Sequence, residues 1–165
     1  MTTKYSISTT EEHAKAFFRS LPISTKQSVE ISSFIRGKNT KTAKRLLEQV
    51  LKHKIAVPFK RFNRDLAHKP GIAAGRYPEK AIKYFTQLLT HVEKNAEEKG
   101  LDVEKLFIKH MAAHKASRPF HHGRHIRRKM KRTHLEIVVE PTAESPSTVK
   151  SKKAKYKGVK SSSKG

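Results

Sequence analysis

The chain has 165 residues, enough for one domain with a modest core and a tail. Its 37 Lys and Arg against 14 Asp and Glu leave a formal charge of +23, far beyond what solubility requires, so a polyanionic partner is expected, nucleic acid first among them. Zero cysteines exclude disulfides, thiolate zinc sites and thiol nucleophiles.

In chain order, AKAFFRSL (Ala14–Leu21) mixes small, aromatic and basic residues and predicts a short strand. Ser24 with Gln27 three residues on makes a capping-box pattern, and Gly37 is a natural stop. A helix is therefore predicted from about Thr25 to Arg36, with Val29, Ile31, Phe34 and Ile35 as its apolar positions. In NTKTAKRLLEQVLKHK, Ala43, Leu46, Leu47, Val50 and Leu51 form one stripe of an amphipathic helix. Lys41, Lys44, Arg45 and Lys52 lie off that stripe, and those near the last turn complement the helix dipole.

Ile55 to Tyr77 reads differently. Pro58, Pro70, Gly71 and Gly75 predict a long loop with little secondary structure of its own, and such loops in compact domains are usually functional or disordered. Phe59, Lys60, Arg61, Phe62, Arg64, Lys69, Arg76 and Tyr77 interleave rings and cations, a composition suited to phosphate pairing and base stacking. The competing reading makes Phe59 and Phe62 core anchors; it is favoured for the two rings, and nucleic acid for the cations.

A long helix is predicted between Pro78 and Gly100, with Ile82, Phe85, Leu89, Val92 and Ala96 on one face. Glu93, Glu97 and Glu98 should meet solvent or a cationic neighbour. Lys105 to Ala116 then predicts a strand with Leu106, Ile108 and Ala112 on one side and Phe107, Lys109 and Met111 on the other. Its counterpart is THLEIVVE, where Leu135, Ile137 and Val139 alternate with His134 and Glu136. Between them SRPFHHGRHIRRKMKRT (Ser117–Thr133) is the connection of a hairpin into which the strands run on. Past Pro141 the chain is serine, lysine and proline, the composition of a disordered cationic tail.

Catalysis and metal binding find little support. His121, His122 and His125 are close in sequence, but no acid lies between Glu104 and Glu136, and eight Lys or Arg from Lys115 to Arg132 would repel a divalent ion. Stacking on bases or donation to phosphate suits these histidines better. Asp65 with His68 is the one acid–histidine pair worth noting, at an uninformative spacing. No Walker or GxGxxG loop is present, so no cofactor is expected and the chain reads as a non-enzyme. With no apolar run of about 18 residues, no glycine at position 2 and no C-terminal cysteine, a soluble intracellular protein without a membrane partner is predicted. The charge is spread over a loop, a hairpin tip and a tail instead of one recognition helix, which suits a protein embedded in folded RNA.

Four blocks carry a specific resemblance: AVPFKRFN (Ala56–Asn63), GRYPEKAIKYFTQLL (Gly75–Leu89), NAEEKGLDVEKLFIKHMAAHKA (Asn95–Ala116) and THLEIVVE (Thr133–Glu140). From about Lys4 to Glu140 the chain resembles the universal large-subunit ribosomal protein twenty-two, in its archaeal and eukaryotic branch. The resemblance implies an α+β domain over 1–140: three helices packed on a small three-stranded antiparallel sheet, with one long extended β-hairpin (about 105–140, tip 117–131). A disordered basic C-terminal tail, 141–165, follows in this chain. It implies a structural constituent of the large ribosomal subunit that binds rRNA, supports its folding and assembly, and extends the hairpin to the wall of the polypeptide exit tunnel. Expected partners are large-subunit rRNA, neighbouring ribosomal proteins and the nascent polypeptide, without homo-oligomerisation.

The rRNA contacts expected are Lys60, Arg61, Arg64, His68, Lys69 and Arg76 in the loop. On the hairpin they are Lys115, Arg118, His121, His122, Arg124, His125, Arg127, Arg128, Lys129, Lys131 and Arg132. Arg118, His121, His122, Gly123, Arg124 and Arg127 correspond to the tunnel-facing tip, and Gly123–Arg124 matches a Gly-Arg pair the family shows there. The segment from Ala116 to Thr133 is shorter than in that branch, which implies a shallower reach. The expected location is the cytoplasmic ribosome, with nuclear and nucleolar passage during assembly, since KMKR and KSKKAKYK are patterns that import receptors read. A free basic nucleic-acid-binding or chaperone-like protein is the alternative.

Overall fold

The computed structural model describes residues 5–8 and 13–141. Strands β1 (Ala14–Leu21), β5 (Leu106–Lys115) and β6 (Thr133–Pro141) form an antiparallel sheet in the order β1-β6-β5, so the most apolar strand takes the centre. Its inner face carries Ala14, Ala16, Leu106, Ile108, Met111, Leu135, Ile137 and Val139, all buried. Against them pack α1 (Thr25–Ile35), α2 (Thr40–Leu51) and α3 (Glu79–Glu98): α3 lies on β1, α1 on β5, and α2 on α3. Ile31, Ile35, Leu47, Val50, Phe85, Leu89 and Val92 close the core from the helix side.

The predicted alternation of β5 is broken. A bulge between Ile108 and His110 inserts one residue, so Met111, not Ala112, joins Leu106 and Ile108 in the core. Ala112 instead opposes Glu136 on the outer face, with His110 and His114 to either side. That face is occupied as well: the Tyr5 ring meets Phe17 edge-on at 6.3 Å, and Ser6 bonds to Glu136 and His114. Glu136 and Val138 are buried there, which strict inward–outward alternation did not predict.

Helix ends follow backbone chemistry more than side-chain caps. Ser24 is the N-cap of α1, but its side chain makes no capping bond; its carbonyl accepts from Ser28 Oγ at 2.9 Å. The predicted capping box is therefore not formed. Gly37 at φ 74° stops the helix, and the following residues bond along the free edge of β5, Gly37 N to Ile108 O at 3.0 Å and Ile108 N to Lys38 O at 2.9 Å. Pro78 is the N-cap of α3. At its other end, Gly100 N donates to Glu97 O and Leu101 N to Ala96 O, both at 2.9 Å, a Schellman closure. Lys44 on α2 pairs with Glu93 on α3, and Lys41 with Glu104 at 2.5 Å, so these two helix-borne cations have acidic partners.

Residues 55–77 are more ordered than a plain loop. They hold a second antiparallel sheet of β2 (Val57–Pro58), β3 (His68–Lys69) and β4 (Ile72–Arg76), in the order β2-β4-β3. Strands of two residues leave no periodicity to read; of the residues that suggested a loop, Pro58 lies in the edge strand β2, Pro70 and Gly71 at the β3–β4 turn, and Gly75 within the central strand β4, paired with Pro58. Gly71, at φ 75°, makes the β3–β4 turn. At Gly75 a Cβ would lie 2.6 Å from Ile72 Cδ1 and 3.2 Å from the Ala56 Cβ, so a larger residue would require the Ile72 side chain to move. Phe59 is buried as predicted, while Phe62 is only half-buried and stays at the surface. Pro141, the first residue of the tail predicted to be disordered over 141–165, closes β6 instead; the rest of that tail, 142–165, lies outside the described residues.

Candidate nucleic-acid interface

The two basic segments of the sequence meet in one groove. A cavity of about 580 Å³ is walled by the first turn of α1, by the 55–77 segment and by the base of the hairpin. Its cations are Lys26, Arg76, Lys115, Arg118, Lys131 and Arg132, and no acid is among its lining residues. The guanidinium of Arg118 donates to Met130 O at 3.3 Å and that of Arg132 to Ser20 O at 3.2 Å. Carbonyls orient these groups without neutralising them, so their charge remains for an external anion. The positive end of the α1 dipole adds to the same field.

Phe62 gives the groove an aromatic wall. Lys26 Nζ lies 6.0 Å from its centroid and the Arg61 guanidinium 5.4 Å, a cation–π cluster at the surface. The backbone that holds it is fixed from below. Glu30, on α1 and only 2% exposed, accepts from the backbone N–H groups of Lys60, Arg61 and Phe62 at 3.1, 2.9 and 2.7 Å. Arg64 Nε donates to Lys60 O at 2.7 Å, tightening the same turn. Lys60, Arg61 and Arg64 are thus exposed on a rigid rim.

Of the residues singled out in the sequence, Arg76, Lys115, Arg118, Lys131 and Arg132 come together in the groove. His68 and Lys69 lie on β3, with Lys69 Nζ 5.8 Å from the Tyr77 ring. His121, His122, Arg124, His125, Arg127, Arg128 and Lys129 form a separate, exposed set at the hairpin tip. There the strands run on as sparse rungs: Ala116 N to Arg132 O, Met130 N to Pro119 O and His121 N to Arg128 O. A single 3-10 turn, Gly123–His125, closes the end, with Gly123 at φ 64°. Phe120 and Ile126 are 50% and 62% exposed at this tip, where no core is in reach.

Lys26, Gln27 and Asn63 belong to the groove and were not anticipated. A signal existed for Lys26: the first turn of α1 carries a lysine and no acid, against the dipole preference. Glu30 left none, because an acid beside the apolar positions of a helix reads as solvent-facing.

The acid–histidine partnership also lies elsewhere than at Asp65 and His68, both of which are exposed. Buried Glu136 receives His110 Nε2 at 2.7 Å and His114 Nε2 at 3.2 Å. Burial pushes its carboxyl up, but hydrogen bonds from Ser6, His110 and His114 and the charge of His114 outweigh this and hold it below the usual value. Burial and then the Glu136 charge push the Tyr5 hydroxyl up. This cluster ties the outer face of the sheet to residues 5–8 and takes no part in the lining of the basic groove. No group of three or more potential metal ligands, and no helix long and apolar enough to cross a membrane, occurs among the described residues.

Residues 16–140 match the family model described as ribosomal protein L22p/L17e. Over 141 residues the chain is 45% identical to the large ribosomal subunit protein uL22 of Ignicoccus hospitalis, covering 79% of this chain and 89% of the relative. It is 46% identical over 167 residues to that of Nanoarchaeum equitans, with 95% and 92% covered. With that of Methanoculleus marisnigri the identity is 45% over 141 residues, with 81% and 92% covered.

Proposed function

Since the chain belongs to the ribosomal protein L22p/L17e family, we propose that it is a structural component of the large ribosomal subunit whose cationic groove seats rRNA while its hairpin tip reaches the wall of the polypeptide exit tunnel. The family is one of ribosomal proteins rather than enzymes. The observation that carries the reading is the convergence of six cations from three separate elements on one groove whose lining holds no acid. Unpaired like charges repel in the free protein, and phosphates placed between them turn that repulsion into binding energy.

The two basic regions have different tasks. The groove and the rim at Lys60, Arg61 and Arg64 dock the folded body by backbone phosphate contacts, which fix position without reading sequence. The tip, with His121, His122, Gly123, Arg124 and Arg127, passes between rRNA segments whose phosphates its arginines neutralise, and meets the nascent polypeptide at its end, while Arg118, assigned to the tip from the sequence, works in the groove at the hairpin base. The remaining tip residues, His125, Arg128 and Lys129, line the way in, and His68 and Lys69 flank the groove. The protein works as a single copy among neighbouring ribosomal proteins in the cytoplasm, after nuclear passage during assembly.

Sedimentation tests this. Large subunits washed in high salt should retain the protein stoichiometrically, with crosslinks from Arg118 to rRNA. Its release as a free protein that binds any RNA equally would replace this reading with that of a general basic chaperone.

A further inference from the structure

A second cavity adjoins the first. It measures about 310 Å³, at the low end of small-ligand sites, and shares Gln27 and Arg76 with the phosphate groove. Its character is different. His53 and Tyr77 form a parallel stack, with centroids 4.6 Å apart and planes 2° from parallel. The His53 side chain is 56% exposed, so the stack is open to solvent on the His53 side. Its Nε2 is bonded to Glu79 Oε1 at 2.9 Å, which fixes the ring plane and makes that end a poor place for a phosphate.

The backbone at His53 sharpens the point. Its N–H donates to Val50 O at 3.0 Å and that of Lys54 to Gln49 O at 2.9 Å, the Schellman closure of α2. In that closure residue 53 must be left-handed, and it is, at φ 57°. Glycine takes this conformation most freely, and histidine is among the few other residues that adopt it. The left-handed turn thus holds the His53 ring beside the cavity, stacked on Tyr77.

We propose that this second cavity takes one unpaired nucleobase of the bound RNA, stacked on the exposed ring of His53, while the adjoining phosphates lie against Lys69 and Arg76. The inference rests on the rRNA-binding reading above and adds to it a preference for RNA with an everted base. Stacking tolerates any base, because each presents a planar face. Gln27, at the junction of the two cavities, is placed to bond a base edge as the strand passes from one to the other.

The test uses the full chain and two short RNA probes, a duplex with one bulged 2-aminopurine and the fully paired duplex of the same sequence. The bulged probe should bind more tightly by about tenfold, with its fluorescence quenched on binding. His53→Gly suits the left-handed turn, so it keeps the fold while deleting the ring; its preference should vanish, with the salt dependence of duplex binding unchanged. His53→Phe keeps a planar ring and should keep the preference. Equal affinity for the two probes in the unaltered chain, or a preference that survives His53→Gly, overturns the inference. Either result leaves duplex binding, and with it the rRNA-binding reading, standing. Failure to bind both probes at low salt would overturn the two together.

Discussion

The carboxylate of Glu30 accepts a 2.7 Å hydrogen bond from the backbone N–H of Phe62, across 32 positions of chain. The bonds from Lys60 and Arg61 make three consecutive amides converging on one buried acid. Glu30 thereby does for this turn what a bound anion does for an amide nest. The negative charge lies beneath the backbone and the cations point away from it, so a protein short of acids uses one to present several bases.

Glu30→Gln should cost about 1–3 kcal/mol, since one amide N–H₂ group must face backbone donors that lose a charged acceptor. Urea unfolding measures the loss. Hydrogen exchange at residues 60–62 should accelerate more than in the central strand β6. Unchanged protection there would mean that the turn is held by other contacts.

Lys26 is a prediction that the structure makes and the sequence did not. Lys26→Ala removes one groove cation, so the slope of log affinity for RNA against log salt should fall by about 0.7–0.9. The residue is exposed on the first turn of α1, so stability should change by less than about 0.5 kcal/mol. A slope equal to that of the parent chain would remove Lys26 from the interface.

The helices and the hairpin were legible because their signals are periodic and local. Ala43 through Leu51 spell one face of α2, and the Gly100 closure of α3 is spelled by a single glycine. The second sheet was not legible: β2 and β3 have two residues each, too short for any period to emerge, and they are held by pairing with β4. The cations of the groove were mostly found, but their meeting was not. Arg76 and Arg118 are 42 positions apart, and only the packing of α1 on β5 brings their elements together.

Met111 tests the bulge. With strict alternation it would face outward, and truncation would cost little. With the bulge it is fully buried, so Met111→Ala should destabilise by about 2–5 kcal/mol. A thermal or urea midpoint near that of the parent would restore the simple alternation.

Glu136 sets a direction for acid sensitivity. Its folded carboxyl titrates below its ordinary value of 4.5 because Ser6, His110 and His114 stabilise the charged form against the cost of burial. The unfolded state therefore takes up the proton first as pH falls. The contribution is full above the ordinary carboxylate value and is lost as pH drops through the folded one. Urea midpoints between about pH 5 and pH 2 should fall less steeply for Glu136→Gln than for the parent. A parallel fall in both would assign acid denaturation to other carboxylates.

At the hairpin tip the expectation is the reverse: large consequence for assembly and almost none for folding. Arg124 and Arg127 are exposed, lie beyond the last rung of the hairpin at His121 and Arg128, and touch no part of the core. Reversing both to Glu therefore removes no packing, and the thermal stability of the isolated protein should stay within about 0.5 kcal/mol of the parent. The same change places two negative charges where phosphates are to be neutralised, so incorporation into large subunits should drop sharply and more steeply at low salt, where repulsion is least screened. Gradient sedimentation of subunits assembled with the variant measures this. Loss of the fold would make the tip part of the folded structure; normal incorporation would show that the RNA does not close around it.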